Sequence, residues 1–455
     1  MDSPALEYGC QIFPARDNYI SKENKKNENY NPIPLKRNSI EVGGIIASDE
    51  IWAADTVKVI DNITIADGVS LSINADVKVE FQGFYHIDVK GSLLAVGEPN
   101  NFIVFTSADN ELFQIDYSET GAWNGIKFHD TSAQNETSVL QYCVFENSKS
   151  FDEKGGVFSV YNVSKLKITN CIFQNNLADY GGAVSCEYYS SPLLTGNIFK
   201  NNYAFIGGSP FYSSYSYPKL INNTVVENQV LNEDDFYKTA ALQTFISKPL
   251  LINNIFWENI ANYHQALQLI ECKGFYCSYN DIQNGHPGAN NISANPLFIE
   301  DDNFDYALAA NSPCINTGLL ELPFDIDFPQ HDIAGNSRIN LPDIDMGAIE
   351  WYEINSAAEN VVKKENHLYN YPNPFNPVTT IFFMNPDNAK ATEVHIYNLK
   401  GQLIKILKAT SLEKTNTICW NGRDKSGKIA ASGIYCYKLL LDNELVAVNR
   451  CLLLK

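Results

Sequence analysis

Hydrophobic and polar residues alternate along the chain from about Ile45. The apolar positions in this stretch are Val57, Val59, Ile63, Ile65, Val69, Leu71, Ile73, Val77, Val79 and Phe81. They lie almost all at even spacings, which is typical of strands with one buried face. The pattern predicts short strands as far as about Phe128, with turns at Gly83, Gly91 and Gly97.

A short motif then recurs through the middle of the chain. Its six copies are YCVFEN, NCIFQN, GNIFKN, NTVVEN, NIFWEN and YNDIQN, ending at Asn147, Asn175, Asn201, Asn228, Asn259 and Asn284. The intervals between copies are 28, 26, 27, 31 and 25 residues, a period typical of stacked repeats. Glycine pairs follow three copies, at Gly155-Gly156, Gly181-Gly182 and Gly207-Gly208. A coil of this length is too short for two helices and predicts parallel coils of two or three short strands.

The six asparagines are expected to form a ladder. Equivalent residues in a parallel stack lie about 4.8 Å apart, so a turn asparagine can donate its amide to the asparagine of the next coil. Such turn chemistry explains the asparagines without a ligand or an attached sugar. Cys143 and Cys171 share one motif position in neighbouring coils, which predicts stacked thiols acting as small apolar fillers.

Composition divides the chain into four parts. Residues 1–44 are polar and predict a loosely attached arm. Residues 45–352 predict the β-helix, with a non-repeating closing cap from about residue 295. A polar linker covers residues 353–368, and residues 369–455 predict a small antiparallel β-sandwich. The predicted fold class is therefore all-β.

Charge separates these modules and narrows the possible partners. The 455 residues have a net charge of −20, of which residues 369–455 contribute +5 (eleven Lys and Arg against six Asp and Glu) and the remainder −25. This acidic balance argues against a nucleic-acid partner. The sequence shows no apolar stretch long enough to span a membrane. Its first residues lack a basic start followed by an apolar core, so no signal peptide is visible.

The repeats end in the segments NPLF, NSPCINTG and DIDMGAIE. With these segments, residues 45–352 resemble the right-handed parallel β-helix proteins of bacterial surfaces. The repeats by themselves are also similar to those of polymorphic outer-membrane proteins. The resemblance implies a right-handed β-helix in a secreted or surface protein.

The last module carries four motifs in order. Their residues are Pro372, Asn373, Pro374, Phe375, Asn376 and Pro377; Tyr397, Asn398 and Gly401; Trp420, Gly422, Asp424 and Gly427; and Gly433 and Tyr435. The module closely resembles the C-terminal sorting domains of the type IX secretion class and the immunoglobulin-like domain of the flagellar hook-capping family. The resemblance implies recognition by the secretion machinery and a location outside the cell or on the outer-membrane surface. Because such export also needs a signal peptide, we expect the N-terminus to be incomplete or misassigned.

Tyrosines are the leading candidates for binding a ligand. Tyr188, Tyr189, Tyr212, Tyr215 and Tyr217 fall in two successive coils, at similar distances beyond the glycine pairs. Aromatic side chains along an elongated surface suit sugar rings, because they are rigid and amphipathic. The alternative is an aromatic stack that fills the coil or covers its edge.

Acidic residues offer weaker candidates for catalysis. A glycosidase needs two carboxylates across the scissile bond, and a lyase needs a base together with neutralisation of a uronate. Acidic loops occur at Asp152–Glu153, Glu233–Asp235 and Asp301–Asp305, but residues 129–337 contain no arginine. We expect these acidic residues to lie in solvated loops at the corners of the coils. Near the cap lie Asp325, Asp327, Asp332, Asp343 and Asp345, whose spacing is not that of a calcium loop and for which hydrogen bonding is the simpler role.

The sequence thus identifies no catalytic, cofactor-binding or metal-binding residue. It favours an exported protein that binds carbohydrate or a surface glycan and acts by adhesion. A polysaccharide lyase or glycoside hydrolase working in a groove of the β-helix is the alternative. A passive structural component of the cell surface is the third possibility.

Overall fold

The computed structural model contains strands and, at Asn110–Leu112, a single 3-10 turn in its described part. The described residues are 38–151, 154–231, 240–261, 265–299, 305–323, 326, 328–339, 344–352, 368–371, 375–384, 392–398, 402–408, 415–442 and 444–453. Two compact units divide the chain, residues 1–352 and 353–455. The fold is all-β, as expected: a parallel β-helix precedes a small antiparallel β-sandwich.

The first face of the β-helix is a parallel sheet that runs through every coil. Its strands are β1 (Ser39–Ile46), β3 (Thr56–Ile65), β5 (Lys78–Phe81), β8 (Ile103–Ser107), β11 (Cys143–Glu146), β15 (Ile172–Gln174), β19 (Ile198–Lys200), β23 (Thr224–Val226), β27 (Ile255–Trp257) and β30 (Asp281–Ile282). Strand β1 begins before the boundary expected at residue 45. Part of the predicted N-terminal arm is therefore the first strand of the β-helix.

The second face shares β1 and β3 with the first, because both strands bend from one face into the other. In β3, Thr56–Val59 pair with β5 of the first face, whereas Ile63–Ile65 pair with β6 (Ile87–Val89) of the second face. The further strands of the second face are β6 (Ile87–Val89), β9 (Ile126–His129), β13 (Phe158–Tyr161), β17 (Val184–Glu187), β21 (Phe211–Ser214), β25 (Ala240–Phe245) and β28 (Gln265–Ile270).

The third face closes each coil. Its strands are β2 (Glu50–Trp52), β4 (Ser70–Ile73), β7 (Ser92–Val96), β10 (Ser138–Gln141), β14 (Leu166–Thr169), β18 (Leu193–Thr195), β22 (Lys219–Ile221), β26 (Leu250–Ile252) and β29 (Tyr276–Ser278). Four short strands line the corner between the first and second faces: β12 (Lys149–Ser150), β16 (Leu177–Tyr180), β20 (Tyr203–Gly207) and β24 (Gln229–Val230). A typical coil thus runs from the third face to the first, past this corner, to the second face and back.

Phenylalanines fill the interior as a stack along the axis. Phe105 packs on Phe145 with ring centroids 4.9 Å apart, Phe145 on Phe173 at 5.1 Å and Phe173 on Phe199 at 4.5 Å. All four side chains are buried. The parallel register places like residues above one another, so the core of one coil continues into the next. Phe211, on the second face, also points inward.

Asparagine ladders follow two corners of the β-helix. In the ladder after the first face, Asn176 donates its Nδ2 to Asn202 Oδ1 at 2.9 Å, Asn202 to Asn228 at 2.8 Å, and Asn228 to Asn259 at 2.9 Å. A second ladder, before the first face, comprises Asn197, Asn223, Asn254 and Asn280, each donating to the next at 2.9 Å. Both ladders satisfy backbone groups that the turns would otherwise bury without partners.

The first ladder differs from the predicted one by one residue in several coils. Asn228 and Asn259 lie in it, but Asn175 and Asn201 each stand one residue before the rung. They occupy left-handed corner positions instead, with φ of 56° and 51°. Asn147 and Asn284 share that left-handed conformation, with φ of 61° and 69°. An asparagine tolerates it better than most residues, so the motif marks a corner as well as a ladder.

The predicted closing cap is divided between two segments. The last coil is covered by residues before 295: Ile282 donates its backbone N–H to Ile292 O, and Asn280 donates Nδ2 to Asn291 Oδ1. After the antiparallel pair β31 (Phe298–Ile299) and β32 (Ala307–Leu308), the chain packs along the side of the β-helix. We call the described part of residues 305–352 the strap.

The strap lies along the edge between the third and first faces. Successive coils bind it through side chains: Asn253 Oδ1 accepts from Leu319 N–H at 2.7 Å, Asn222 donates to Asp345 O at 2.8 Å, Asn170 to His331 O at 2.9 Å, and Tyr142 to Asp332 O at 3.0 Å. Because these contacts span several coils, the strap is a lateral brace rather than an end cap.

The C-terminal unit is a sandwich of two antiparallel sheets. One contains β33 (Tyr369–Tyr371), β34 (Thr379–Met384) and β37 (Thr415–Trp420). The other contains β36 (Leu403–Lys408), β35 (Thr392–Asn398), β38 (Gly433–Leu441) and β39 (Glu444–Leu453). Inward-facing residues of both sheets, among them Ile381, Phe383, Val394, Ile396 and Tyr437, form its own hydrophobic core.

Candidate functional site

Four of the five candidate tyrosines are strongly exposed. Tyr188, Tyr189, Tyr215 and Tyr217 have relative exposures of 49%, 66%, 43% and 41%. They lie at the corner between the second and third faces, in the turns that follow β17 and β21. The interior stack is made of phenylalanine, so these tyrosines do not fill the coil. We call them the tyrosine corner.

Ring contacts order part of this corner along the axis of the β-helix. Tyr161 lies 4.8 Å from Tyr188 between ring centroids, Tyr188 stacks on Tyr215 at 6.1 Å, and Tyr215 contacts Phe245 edge-on at 6.0 Å. Tyr188 and Tyr215 both have left-handed backbone, with φ of 48° and 50°, which is uncommon for aromatic residues. The aromatic row therefore extends through four consecutive coils.

Tyr212 belongs to a different cluster. It projects from the outer side of the second face, with its ring centroid 5.0 Å from that of Tyr180. Lys154 Nζ lies 4.8 Å from the Tyr212 centroid and pairs with Glu187 Oε1 at 2.5 Å. Burial is the largest single influence on the pKa of Lys154 and lowers it, but the hydrogen bond that Lys154 donates to Glu187 and the charges of Glu187, Tyr212 and Tyr180 together raise it, and the net shift is upward. Tyr212 is thus held beside a charged pair, apart from the tyrosine corner.

The acidic residues near the cap serve the strap where the structure describes them. Asp332 accepts backbone N–H groups from Asn336 at 2.7 Å and Glu350 at 2.9 Å. Asp345 accepts those of Asn316 at 2.7 Å and Trp351 at 2.6 Å. Both carboxylates are buried. The other candidates of this group, Asp325, Asp327 and Asp343, lie outside the described residues.

The acidic loops of the β-helix fall mostly outside the described residues. This is so for Asp152, Glu153, Glu233–Asp235, Asp301 and Asp302. The remaining member, Asp305, pairs with Lys200 Nζ at 3.1 Å. Within the described ranges, no group of three or more His, Cys, Asp and Glu residues could hold a metal ion.

Arg338 and Glu350 form a buried ion pair that the sequence did not reveal. Arg338 Nη1 lies 2.8 Å from Glu350 Oε1, and the two guanidinium nitrogens also donate to the carbonyls of Gly347 and Ala348. Both side chains are almost fully buried. Burial raises the pKa of the Glu350 carboxyl, and the charge of Arg338 opposes that shift. In the sequence, Arg338 precedes the segment DIDMGAI and Glu350 follows it. Nothing in that spacing predicts an ion pair, which becomes visible only in the folded strap.

Three of the four motifs of the C-terminal unit contribute a residue to one cluster in the core of the sandwich. Phe375, which is buried, lies 5.4 Å from Trp420 between ring centroids, and Trp420 meets Tyr435 edge-on at 5.0 Å. A β-bridge joins Phe375 to Leu453 in the last strand. Asn376 and Pro377 follow at the surface, whereas Pro372, Asn373 and Pro374 lie outside the described residues. Residues far apart in sequence thus form one aromatic cluster.

The turn after Trp420 is held by its own side chains. Asp424 Oδ1 accepts the backbone N–H groups of Ser426 at 2.8 Å and Lys428 at 3.0 Å, and the Ser426 hydroxyl at 2.7 Å. The Ser426 hydrogen bond is the largest cause that lowers the pKa of Asp424. Gly422 and Gly427 have φ of 65° and 82°, which glycine adopts most readily. Gly433 is also left-handed at its φ of 149°.

The four cysteines considered in the sequence form no disulfide bond. Cys143 and Cys171 are buried free thiols, and Cys419 and Cys436 in the sandwich are also free. The described residues contain no helix long and apolar enough to cross a membrane.

Comparison with known proteins identifies the C-terminal unit. No curated protein matches the chain. A solved structure of PorZ, an essential bacterial surface component of the type-IX secretion system of Porphyromonas gingivalis, is 24% identical over 19% of this chain and 11% of that chain, with a TM-score of 0.15. Residues 370–451 match the family model described as the secretion system C-terminal sorting domain. The chain therefore carries a C-terminal sorting domain, which implies export to the cell surface or beyond it.

Proposed function

We propose that this protein is an exported adhesin whose β-helix binds carbohydrate along the tyrosine corner. The observation that carries the proposal is the exposure of Tyr188, Tyr189, Tyr215 and Tyr217 in consecutive coils. Tyrosine combines an apolar ring with a hydroxyl group, so it can contact both the apolar face and the polar edge of a sugar. A long, rigid β-helix repeats this contact from coil to coil, as a polymeric ligand requires.

The ring contacts favour binding by reducing its entropic cost. Tyr161, Tyr188 and Tyr215 pack on one another in the free protein, so these side chains are already ordered. Immobilising a flexible side chain on binding costs about 0.5–1.5 kcal/mol. A pre-ordered row avoids much of this cost.

The acidic candidates near the strap do not support polysaccharide cleavage. The described carboxylates Asp332 and Asp345 are buried and occupied with backbone N–H groups, so neither is available as a general acid or base. We infer that the sorting domain, as an immunoglobulin-like sandwich, delivers the β-helix to the surface through the type IX machinery. The tyrosine corner would then meet glycans outside the cell.

A glycan array probed with the full chain tests the proposal. We expect the Tyr188→Ala, Tyr189→Ala, Tyr215→Ala and Tyr217→Ala changes, combined, to weaken binding to the best glycan about tenfold or more, since aromatic contacts contribute roughly 0.5–1.5 kcal/mol each. Tyr276→Ala is the matched control, because Tyr276 is an exposed tyrosine on the third face. Binding to no glycan at all, or equal binding by the combined variant, would contradict the proposal.

A further inference from the structure

A cleft opens at the corner between the first and second faces, away from the tyrosine corner. Its volume is about 550 Å³, within the range of about 300–1,000 Å³ typical of small-molecule sites. Its lining includes Tyr203, Glu227, Gln229, Glu258 and Ile260, from three coils near the C-terminal end of the β-helix. The wall thus combines carboxylates, an amide, an aromatic ring and an aliphatic side chain.

Two carboxylates give the cleft its charge. Glu227 and Glu258 are exposed and occupy the corner position in neighbouring coils, where equivalent residues are about 4.8 Å apart. Within the described part of the chain, no lysine or arginine forms an ion pair with either carboxylate, and the nearby Lys200 pairs with Asp305. Glu227 instead accepts the hydroxyl of Tyr306 at 2.8 Å. Among the described residues, the cleft therefore presents two carboxylates without a direct ion pair, which favours a cationic ligand.

The corner position makes these glutamates unusual. The coils before and after carry Asn201 and Asn284 there, with the same left-handed backbone. Glu227 and Glu258 adopt that backbone as well, with φ of 55° and 53°, although asparagine tolerates it better. In two of the coils that line the cleft, the asparagine of the corner position is thus replaced by glutamate, which suits this backbone conformation less well.

The end of the first asparagine ladder supplies a hydrogen-bond donor. In each earlier rung, the backbone N–H donates to Oδ1 of the next asparagine, as Asn202 does to Asn228 and Asn228 to Asn259. Asn259 is the last rung and lines the cleft, and Gly285 occupies the equivalent place in the following coil. The backbone N–H of Asn259 therefore lies at the cleft without an asparagine of a following coil as its hydrogen-bond acceptor.

We propose that this cleft binds a sugar that carries an unacetylated amine. The ammonium group would pair with the carboxylates of Glu227 and Glu258. The amide of Gln229 and the backbone N–H of Asn259 would bond to hydroxyl groups, since amides both donate and accept. Tyr203 and Ile260 would contact the apolar face of the ring. A uronate would meet like charge here and is excluded by repulsion.

Titration calorimetry of the full chain tests this site with three probes of equal length: oligomers of glucosamine, of N-acetylglucosamine and of galacturonate. We expect the glucosamine oligomer to bind at least tenfold more tightly than the other two, with affinity that falls as salt rises. The combined Glu227→Gln and Glu258→Gln variant should lose about tenfold in affinity for that oligomer, or roughly 1.4 kcal/mol. Glu119→Gln, at an exposed site elsewhere on the β-helix, should change nothing.

A second variant tests whether binding depends on the shape of the cleft as well as on its charge. Ile260→Trp should obstruct the cleft and weaken binding while leaving both carboxylates in place; Ile260 is 60% exposed, so the fold should tolerate the change. Unchanged affinity in the Glu227→Gln and Glu258→Gln variant would refute the site. Equally tight binding of spermidine would refute a sugar ligand. The tyrosine-corner variant should retain glucosamine binding, so failure of the adhesive function and failure of this site are distinguishable.

Discussion

Neighbouring asparagines of the same motif have different structural roles. Asn202 is fully buried, and its side chain bonds to Asn176, Asn228 and Phe173. Asn201 contributes a left-handed corner and lies partly exposed beside the cleft. The first role depends on the side-chain amide, the second on the backbone conformation.

Glycine substitutions at the two positions should therefore differ sharply. We expect Asn202→Gly to lower the free energy of unfolding by about 3 kcal/mol or more, because it leaves several buried backbone and amide groups without partners. Asn201→Gly should change it by less than about 1 kcal/mol, because glycine adopts the left-handed conformation readily. Urea unfolding of both variants, followed by circular dichroism, measures the difference. Equal effects would show that the ladder does not stabilise the β-helix.

The asparagine spacing predicts the period but not the register of the ladder. Asn147, Asn175 and Asn201 precede a residue that takes the rung: Ser148, Asn176 and Asn202. In the next two coils the corner residue is a glutamate, so the motif's last asparagine is itself the rung. Whether a residue occupies the left-handed corner position or points inward as a rung depends on its backbone dihedral angles. The spacing of asparagines in the sequence does not determine these angles.

At the scale of elements, the strap shows how non-repeating sequence stabilises a repeat. It joins several coils through hydrogen bonds to Tyr142, Asn170, Asn222 and Asn253. Coils of a solenoid otherwise contact only their neighbours, so a lateral brace adds longer-range coupling. Within the strap, Arg338 and Glu350 form a buried ion pair.

Removing one partner of that pair should destabilise the strap. We expect Arg338→Met to cost about 3–5 kcal/mol, because it leaves the Glu350 carboxylate buried without its counter-charge. The double variant Arg338→Met with Glu350→Gln should recover part of this loss. Lys200→Met is the control: it breaks the ion pair with the partly exposed Asp305 and should cost about 1 kcal/mol or less. Unfolding free energies of the variants measure the coupling, and an Arg338→Met effect no larger than the control would contradict it.

The position of the strap was not predictable from its sequence. Its motifs differ from the repeats, which suggested a cap at the end of the coils. Hydrogen bonds from Asn170 and Asn222, both left-handed corner residues, place it along the side instead. Those bonds join residues more than a hundred positions apart in sequence, and no local pattern reports such pairs.

At the scale of the whole molecule, the two units have separate cores and opposite charge. The C-terminal unit buries its motif residues Phe375, Trp420 and Tyr435 in one cluster, so the motif residues that remain at its surface, among them Asn376 and Pro377, are the ones open to a partner. Recognition by the secretion machinery should therefore depend both on a folded sandwich and on those exposed residues.

Export should depend on residues 369–455. A reporter with its own signal peptide, fused to this segment, should reach the surface in a host with type IX secretion, because the segment contains the sorting domain. Trp420→Ala should abolish surface display, since it removes a buried ring from the core and costs about 3–5 kcal/mol. Surface proteolysis of intact cells measures display. Periplasmic retention of the unaltered fusion would contradict the prediction.

Much of this protein is determined by local sequence. The 26-residue period, the alternating strands and the glycine turns determine a stack of parallel coils, because strand periodicity and turn chemistry act over a few residues. The motifs of residues 372–435 similarly determine the sorting module. The tertiary structure alone decided which aromatics lie inside, where the strap runs and how Glu227 and Glu258 come to share a cleft. These depend on the stacking register, which brings together residues that the chain keeps a whole coil or more apart.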